Sequence, residues 1–170
     1  KGLKIIQQKK MGDSRGNLRE TYRKKIIKWD NLIFDYATVS KKNVLRGFHF
    51  NTKFPQAKYV SVLKGKILDY VIDLRKRSKT FGKSFSIILS DTNCKSLYIP
   101  KGFAHAYYSF SNINVVYYKL SDYYAPKYEG GIVWNDKVLK LKWPIKKPII
   151  ARRDKKWKSF VEFKKKYKGL

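Results

Sequence analysis

With 170 residues, 43% of them hydrophobic, the chain has the length of one domain, residues 1–170, and the means for a sizeable core. No apolar run is long enough to span a bilayer, and the basic stretch from Lys1 to Met11 is not followed by the apolar segment of a secretory signal, so neither membrane insertion nor export is expected. The single cysteine, Cys94, excludes an internal disulfide and makes a reducing, cytoplasmic setting the expectation, while 40 Lys and Arg against 12 Asp and Glu leave a formal net charge of +28.

Three uses of that charge compete. A solvated lysine face is its usual fate. Steering of an anionic small molecule such as a sugar diphosphate is compatible with it. Nucleic-acid binding would need aromatics exposed among the lysines and is not expected.

In chain order, residues 44–50 read as a β segment, and residues 59–63 alternate with period two before a turn at Gly65. Residues 67–74 form the next predicted strand, with Asp69 and Asp73 on the same face as Val71. Residues 85–89 follow, then the turn cluster Ser90-Asp91-Thr92-Asn93. A short strand at 96–99 ends at Pro100-Lys101-Gly102, and strands at 106–110 and 115–120 are split by Ser111-Asn112. Short strands at this spacing predict a mainly β sandwich or barrel. Helix signal is confined to the end of the chain, 155–170, where Trp157, Phe160 and Val161 at i, i+3 and i+4 mark a short amphipathic helix covering the sheet.

Chemistry-bearing residues are few. There are two histidines, His49 and His105. By strict alternation, Arg46, Phe48 and Phe50 share one face and Leu45, Gly47 and His49 the other, unless a bulge at Gly47 rotates the pattern. His105 follows a turn at a strand start, a natural rim position. Two histidines cannot supply a three-histidine metal site; a site of two histidines and one carboxylate is formally open, but no metal is expected. Cys94 has no cysteine partner for zinc. Neither a phosphate-binding glycine loop nor a nucleophile elbow is present. Tyr117 and Tyr118 are strand neighbours, so one faces inward and can donate a proton there.

Read together, the segments resemble the dTDP-4-dehydrorhamnose 3,5-epimerase family from about Asp13 to Asp154. The resemblance is carried by Asp13-Ser14-Arg15-Gly16 with Glu20, by Lys41-Lys42-Asn43-Val44-Leu45-Arg46-Gly47-Phe48-His49-Phe50 and by Gln56-Ala57-Lys58. It continues through Asp69-Tyr70-Val71-Ile72-Asp73-Leu74-Arg75, Ser78-Lys79-Thr80-Phe81-Gly82, Tyr98-Ile99-Pro100-Lys101-Gly102-Phe103-Ala104-His105, Tyr118-Lys119-Leu120-Ser121-Asp122-Tyr123-Tyr124 and Glu129-Gly130-Gly131-Ile132-Val133-Trp134-Asn135-Asp136, and closes at Trp143-Pro144 and Arg153-Asp154. No single piece is specific; their order across one domain is.

The resemblance implies a cupin-type jelly-roll with a few short helices. It implies epimerisation at C3, C5 or both of a dTDP-4-keto-6-deoxyhexose without a cofactor. His49 matches the base, Asp154 its paired carboxylate and Tyr118 the acid. Lys58 and Arg46 match basic residues near the sugar, and Arg15, Glu20, His105, Tyr124, Glu129 and Arg153 match substrate-contacting positions. It also implies a homodimer exchanging N-terminal strands, so that Arg15 and Glu20 serve the partner's site. This chain departs from the family pattern at Phe34-Asp35-Tyr36, where Gln-Asp-Asn is usual, at Asn51 for glutamine and at Ala106 for glycine. Those changes surround the pocket and leave open a 3- or 5-mono-epimerase on another nucleotide sugar, or a cupin that binds a nucleotide sugar without turning it over.

Overall fold

The computed structural model describes residues 2–170. The alternating segments pair into two sheets. One has the order β1 (Lys4–Gln7), β9 (Lys95–Ile99), β6 (Lys58–Lys64), β11 (Ile113–Leu120), β4 (Phe34–Lys41). The other runs β12 (Glu129–Gly131), β5 (Val44–Asn51), β10 (Phe103–Ser109), β7 (Lys66–Asp73), β8 (Ser84–Ser90), with β13 (Ile149–Ile150) added in parallel to β5. A separate hairpin, β2 (Lys10–Asp13) and β3 (Gly16–Arg19), lies off both sheets. The mainly β expectation holds, and the predicted strands from residue 59 to 120 are all present.

The sheets face each other across a core of Val60, Val62, Val71, Leu97, Phe103, Val116 and Leu120, which are the same-parity residues of their strands. The second sheet is buried on its other face too. Phe48, Phe50, Tyr70, Ile72, Ala104 and Ala106 pack there against α1 (Phe160–Tyr167) through Phe160 and Phe163. This explains why every residue of β10 is buried and why its sequence hardly alternates. Full burial of one such Phe contributes roughly 1.5–3 kcal/mol.

The helix is shorter than 155–170. Ser159 accepts from the Glu162 backbone N–H while the Glu162 carboxylate reaches back to Ser159, and this capping box sets the start. The buried stripe is therefore Phe160, Phe163 and Tyr167. Val161 is 39% exposed, and Trp157 lies before the helix against Gly131, correcting the predicted Trp157–Phe160–Val161 face. Asp154–Lys156 forms a separate 3₁₀ turn. Among the described residues, no helix is long and apolar enough to cross a membrane.

One irregularity matters most. β5 runs antiparallel to β10 with His49 opposite His105 but Arg46 opposite Tyr107, so β5 carries one extra residue at Gly47-Phe48. The anticipated bulge is present. It brings Arg46 and His49, three apart, to the inter-sheet side and leaves Phe48 and Phe50 facing the helix. Gly47 has φ +108, and a Cβ there would lie 2.4 Å from the His105 carbonyl oxygen. Gly47→Ala is expected to cost about 2–4 kcal/mol from backbone strain plus the clash. A urea midpoint shift in an otherwise two-state transition measures this, and a midpoint equal to that of the unmodified chain would show that the bulge tolerates a side chain.

Candidate active site

Strand parity delivers the site residues. At one end the space between the sheets opens into a cleft of about 390 Å³. β5 contributes Arg46 and His49, β10 contributes His105 and Tyr107, β6 contributes Lys58, and β11 contributes Tyr118. β4 adds Phe34, Tyr36 and Thr38, and Tyr124, Glu129 and Arg153 close the mouth. His49 and Tyr118 thus stand on opposite sheets and line one cavity.

His49 is held from behind. Its Nε2 lies 2.8 Å from Asp154 Oδ1, and Asp154 is 2% exposed. The Gly47 backbone N–H, freed by the bulge, donates to Asp154 Oδ2 at 3.2 Å, and Trp157 Nε1 donates to Oδ1 at 3.2 Å. Burial pushes the Asp154 carboxyl up, but the hydrogen bond and charge of His49, with those two donors, outweigh it and hold it below the ordinary carboxylate value. An ionised Asp154 accepts from Nε2–H and leaves the Nδ1 lone pair free, 3.7 Å from Glu129 Oε1. Glu129 in turn is held by Arg153 Nη1 at 2.8 Å and by the Tyr124 hydroxyl at 3.2 Å.

A second imidazole–carboxylate pair faces the same cleft. His105 Nε2 is 2.7 Å from Asp69 Oδ2, both fully buried. Burial raises the Asp69 carboxyl despite the His105 contact, and Oδ1 has no partner among the described residues. On the facing sheet, Tyr118 is 4% exposed and its phenol is pushed well above the ordinary value, first by burial and then by the neighbouring Tyr107, Tyr36 and Asp69. It therefore stays protonated. Lys58, next along the inward face from Val60, is lowered to about 8 by burial, against the opposing pull of Glu129 and Asp69.

Of the residues expected from sequence, His49, Tyr118, Lys58, Arg46, His105, Tyr124, Glu129 and Arg153 line the cleft, with Asp154 directly behind His49. Arg15 and Glu20 do not join them within one chain. Arg15 pairs with Asp13 on the exposed hairpin, and Glu20 pairs with Arg23. Two further residues join the site without having been expected there. Asp69, the partner of His105, has as its sequence signal a carboxylate on the core face of an alternating strand, which demands a partner. Tyr107, two residues after His105 and so on the same face, bonds Thr38 and Ser40 through its hydroxyl at 2.9 Å each. Among the described residues, no three His, Cys, Asp or Glu side chains are grouped to hold a metal ion.

A β-sandwich whose two sheets present an imidazole–carboxylate pair and a buried phenol to one cleft defines a cupin-type acid–base scaffold, the class to which sugar epimerases belong. The family model described as dTDP-4-dehydrorhamnose 3,5-epimerase matches residues 1–162. The chain is 37% identical over 168 residues to the dTDP-4-dehydrorhamnose 3,5-epimerase of Methanothermobacter thermautotrophicus, covering 95% of this chain and 91% of that one. The crystal structure of the Bacillus anthracis dTDP-4-dehydrorhamnose 3,5-epimerase with TDP and PPi bound superposes with a TM-score of 0.89 at 34% identity, over 93% and 94% of the two chains. The dTDP-6-deoxy-D-glucose-3,5-epimerase of Legionella pneumophila, in complex with dTDP-4-keto-L-rhamnose, gives 0.88 at 37% identity over 92% and 87%. The chain belongs to the dTDP-4-dehydrorhamnose 3,5-epimerase family, and the cupin-type jelly-roll expected from its sequence is its fold.

Lys58 yields a prediction whose sign is fixed. Its folded-state value of about 8 lies below the 10.5 of an unperturbed lysine. Between the two, the unfolded chain binds the extra proton, so Lys58 makes stability rise with pH through that window. Below about pH 8 its charged form is a constant cost. The difference in unfolding free energy between the unmodified chain and Lys58→Met should therefore grow in favour of the unmodified chain from pH 8 towards 10.5. A difference independent of pH would mean the ammonium is not desolvated.

Proposed function

We propose that this chain is an epimerase acting on a dTDP-4-keto-6-deoxyhexose, inverting C3 and C5 through enolate intermediates. The observation that carries the reading is that His49 and Tyr118 line one cleft from opposite sheets. Protons at C3 and C5 are acidic because each neighbours the C4 ketone. His49, with its tautomer held by ionised Asp154, removes one; the resulting imidazolium is stabilised by that carboxylate. The enolate oxygen needs donors, and Lys58 and Arg46 supply them. An ammonium lowered to about 8 is a stronger hydrogen-bond donor to an enolate than an ordinary lysine and still charged at neutral pH. Inversion requires the proton to return on the face away from His49, where the neutral Tyr118 phenol stands. Arg153, Tyr124 and the basic side chains at the mouth offer binding energy to the diphosphate.

The test is NMR in deuterated water with a dTDP-4-keto-6-deoxyhexose. Deuterium should enter at C3 and C5 with inversion. His49→Ala and Tyr118→Phe should keep the fold and lose about 10²–10⁴-fold in turnover, the usual contribution of a positioned acid or base. Exchange at one carbon selects the mono-epimerase reading, and binding without exchange at either carbon selects a non-catalytic cupin and refutes the proposal.

The active form is a homodimer with exchanged N-terminal strands. The β2–β3 hairpin exposes Met11 at 61% and Leu18 at 62%, and Arg15 meets no cleft residue of its own chain. Exchange would bury that surface and bring Arg15 and Glu20 to a neighbour's site. Co-expressed His49→Ala and Arg15→Ala chains test this. Each alone should be impaired, while a heterodimer restores one complete site with an unmodified KM. Heterodimers with no recovered activity would place Arg15 outside the neighbour's site. The single buried free thiol, Cys94, suits a reducing cytoplasmic setting.

A further inference from the structure

The Tyr118 hydroxyl makes no hydrogen bond among the described residues, although the residue is 4% exposed. Its direction is therefore set by what packs against its ring. From the facing sheet His105 meets it edge-on, at 5.9 Å between centroids and 74° between planes, and is itself anchored to Asp69. The second ring contact of Tyr118 is Tyr36, at 4.9 Å and 27°, a stacked pair. Tyr36 lies directly opposite Tyr118 on the β4–β11 ladder, so both rings project from the same sheet face. β4 is the edge of that sheet, with no strand beyond it. Tyr36 is 38% exposed and lines the mouth, with Phe34 at 5.7 Å packing on it and Tyr123 at 5.9 Å packing on Phe34. The Tyr36 hydroxyl also lacks a hydrogen bond among the described residues, so the residue's contact with the site is its ring.

We propose that Tyr36 is a positioning residue for proton return: its ring clamps the Tyr118 phenol against His105 and shields it from water, so that protonation outpaces recapture of the proton by His49. The proposal rests on Tyr118 being the acid. The physical need is kinetic. Once the carbon-bound proton sits on His49, the enolate has two fates. It regains a proton from His49 with its configuration retained, or takes one from Tyr118 and inverts. A phenol displaced by about 1 Å loses on the order of 10²-fold in transfer rate, whereas the His49 route is unaffected because Asp154 fixes that ring separately. The stack also excludes solvent, and burial is the first cause of the raised Tyr118 value; Tyr107, Asp69, His105, Lys58 and Arg46 are the other titratable or charged groups facing it from the packed strands. Tyr36 itself is raised to about 12 by burial and by Glu129, so it stays neutral beside the acid.

The test compares Tyr36→Leu, which keeps apolar bulk without a stacking ring, with Tyr36→Phe, which keeps the ring. In deuterated water, a slowed acid gives the His49 imidazolium time to exchange with solvent and return deuterium to the original face. Tyr36→Leu should therefore raise the ratio of deuterium incorporated with retention to deuterium incorporated with inversion by about tenfold or more. The basic limb of its pH–rate profile should move to lower pH as water reaches Tyr118, and Tyr36→Phe should restore both readouts. The ratio is taken on the same active molecules, so partial misfolding does not move it. An unchanged ratio in Tyr36→Leu, or Tyr36→Phe behaving like Leu, overturns the clamp. Tyr118→Phe run alongside separates the two claims. If it inverts at the unmodified rate, the acid assignment itself is wrong; if it loses inversion while Tyr36→Leu does not, only the role of Tyr36 falls.

Discussion

The site depends on the extra residue in β5. A regular strand of that composition would send Arg46 and His49 to opposite faces, because side chains alternate and three is an odd spacing. The bulge at Gly47-Phe48 rotates the second half of the strand, so that two polar residues share the cleft while Phe48 and Phe50 share the helix side. It also removes the Gly47 N–H from the ladder and turns it onto Asp154, the group that orients His49. Only glycine fits, since a Cβ would meet the β10 backbone. One backbone irregularity thus supplies the direction of His49, a donor for its partner and the segregation of core from cleft. Catalytic groups set on strands whose far face is packed by a helix are held more firmly than groups on loops.

Charge inside the cleft follows different rules from charge outside it. Outside, a net +28 is spread over solvated lysines, whose mutual fields decay within about 8 Å at physiological salt. Inside, desolvation dominates, and each carboxylate is answered. Glu129 sits between Arg153, Tyr124 and His49; Asp154 between His49, Gly47 and Trp157; and Asp69 against His105. Lys58 has no carboxylate within salt-bridge distance in the described structure, and its lowered value of about 8 is the consequence. A buried cation without a close counter-ion is costly in the empty site and gains a partner when an anionic oxygen arrives.

Much of this was legible in the sequence where side-chain period and burial agree. The strands from residue 59 to 120 announce themselves as short runs of β-branched and aromatic residues bounded by turn residues, and β11 alternates in burial rather than in polarity. The first four strands do not, since β1, β2 and β3 are four-residue, each with a Lys or Arg, and largely exposed, and β4 is an edge strand that mixes aromatic and polar residues without a clean period. Phe160 and Val161 fall at helical spacing from Trp157, yet Trp157 lies before the true start, which Ser159 sets through its cap, and Val161 faces solvent. In the site, His49 and Tyr118 became a pair only through the resemblance; composition alone leaves 2 histidines and 13 tyrosines unassigned. The departure at Phe34-Asp35-Tyr36 was visible, but that Tyr36 would stack on Tyr118 required the ladder register, which no local pattern encodes.

The sandwich itself explains why inversion chemistry suits this place. Two packed sheets stand about 10 Å apart, which is close to the thickness of a sugar ring plus a hydrogen-bonding group on each side. Where the inward aromatic and aliphatic side chains give way at one end, the gap becomes a slot with two chemically independent walls. Residues on one sheet act on one face of the ring and residues on the other sheet on the opposite face. The wall that carries the two histidines is polar and anchored by carboxylates, through Asp154 to His49 and Asp69 to His105. The facing wall is aromatic, built from Tyr118, Tyr36 and Phe34, and carries Lys58 at its margin. A group ionised or protonated with ease belongs on the first wall and a proton that must stay put until needed on the second. An inverting enzyme needs that asymmetry across the substrate, and here it comes from which sheet each residue was dealt to by strand parity.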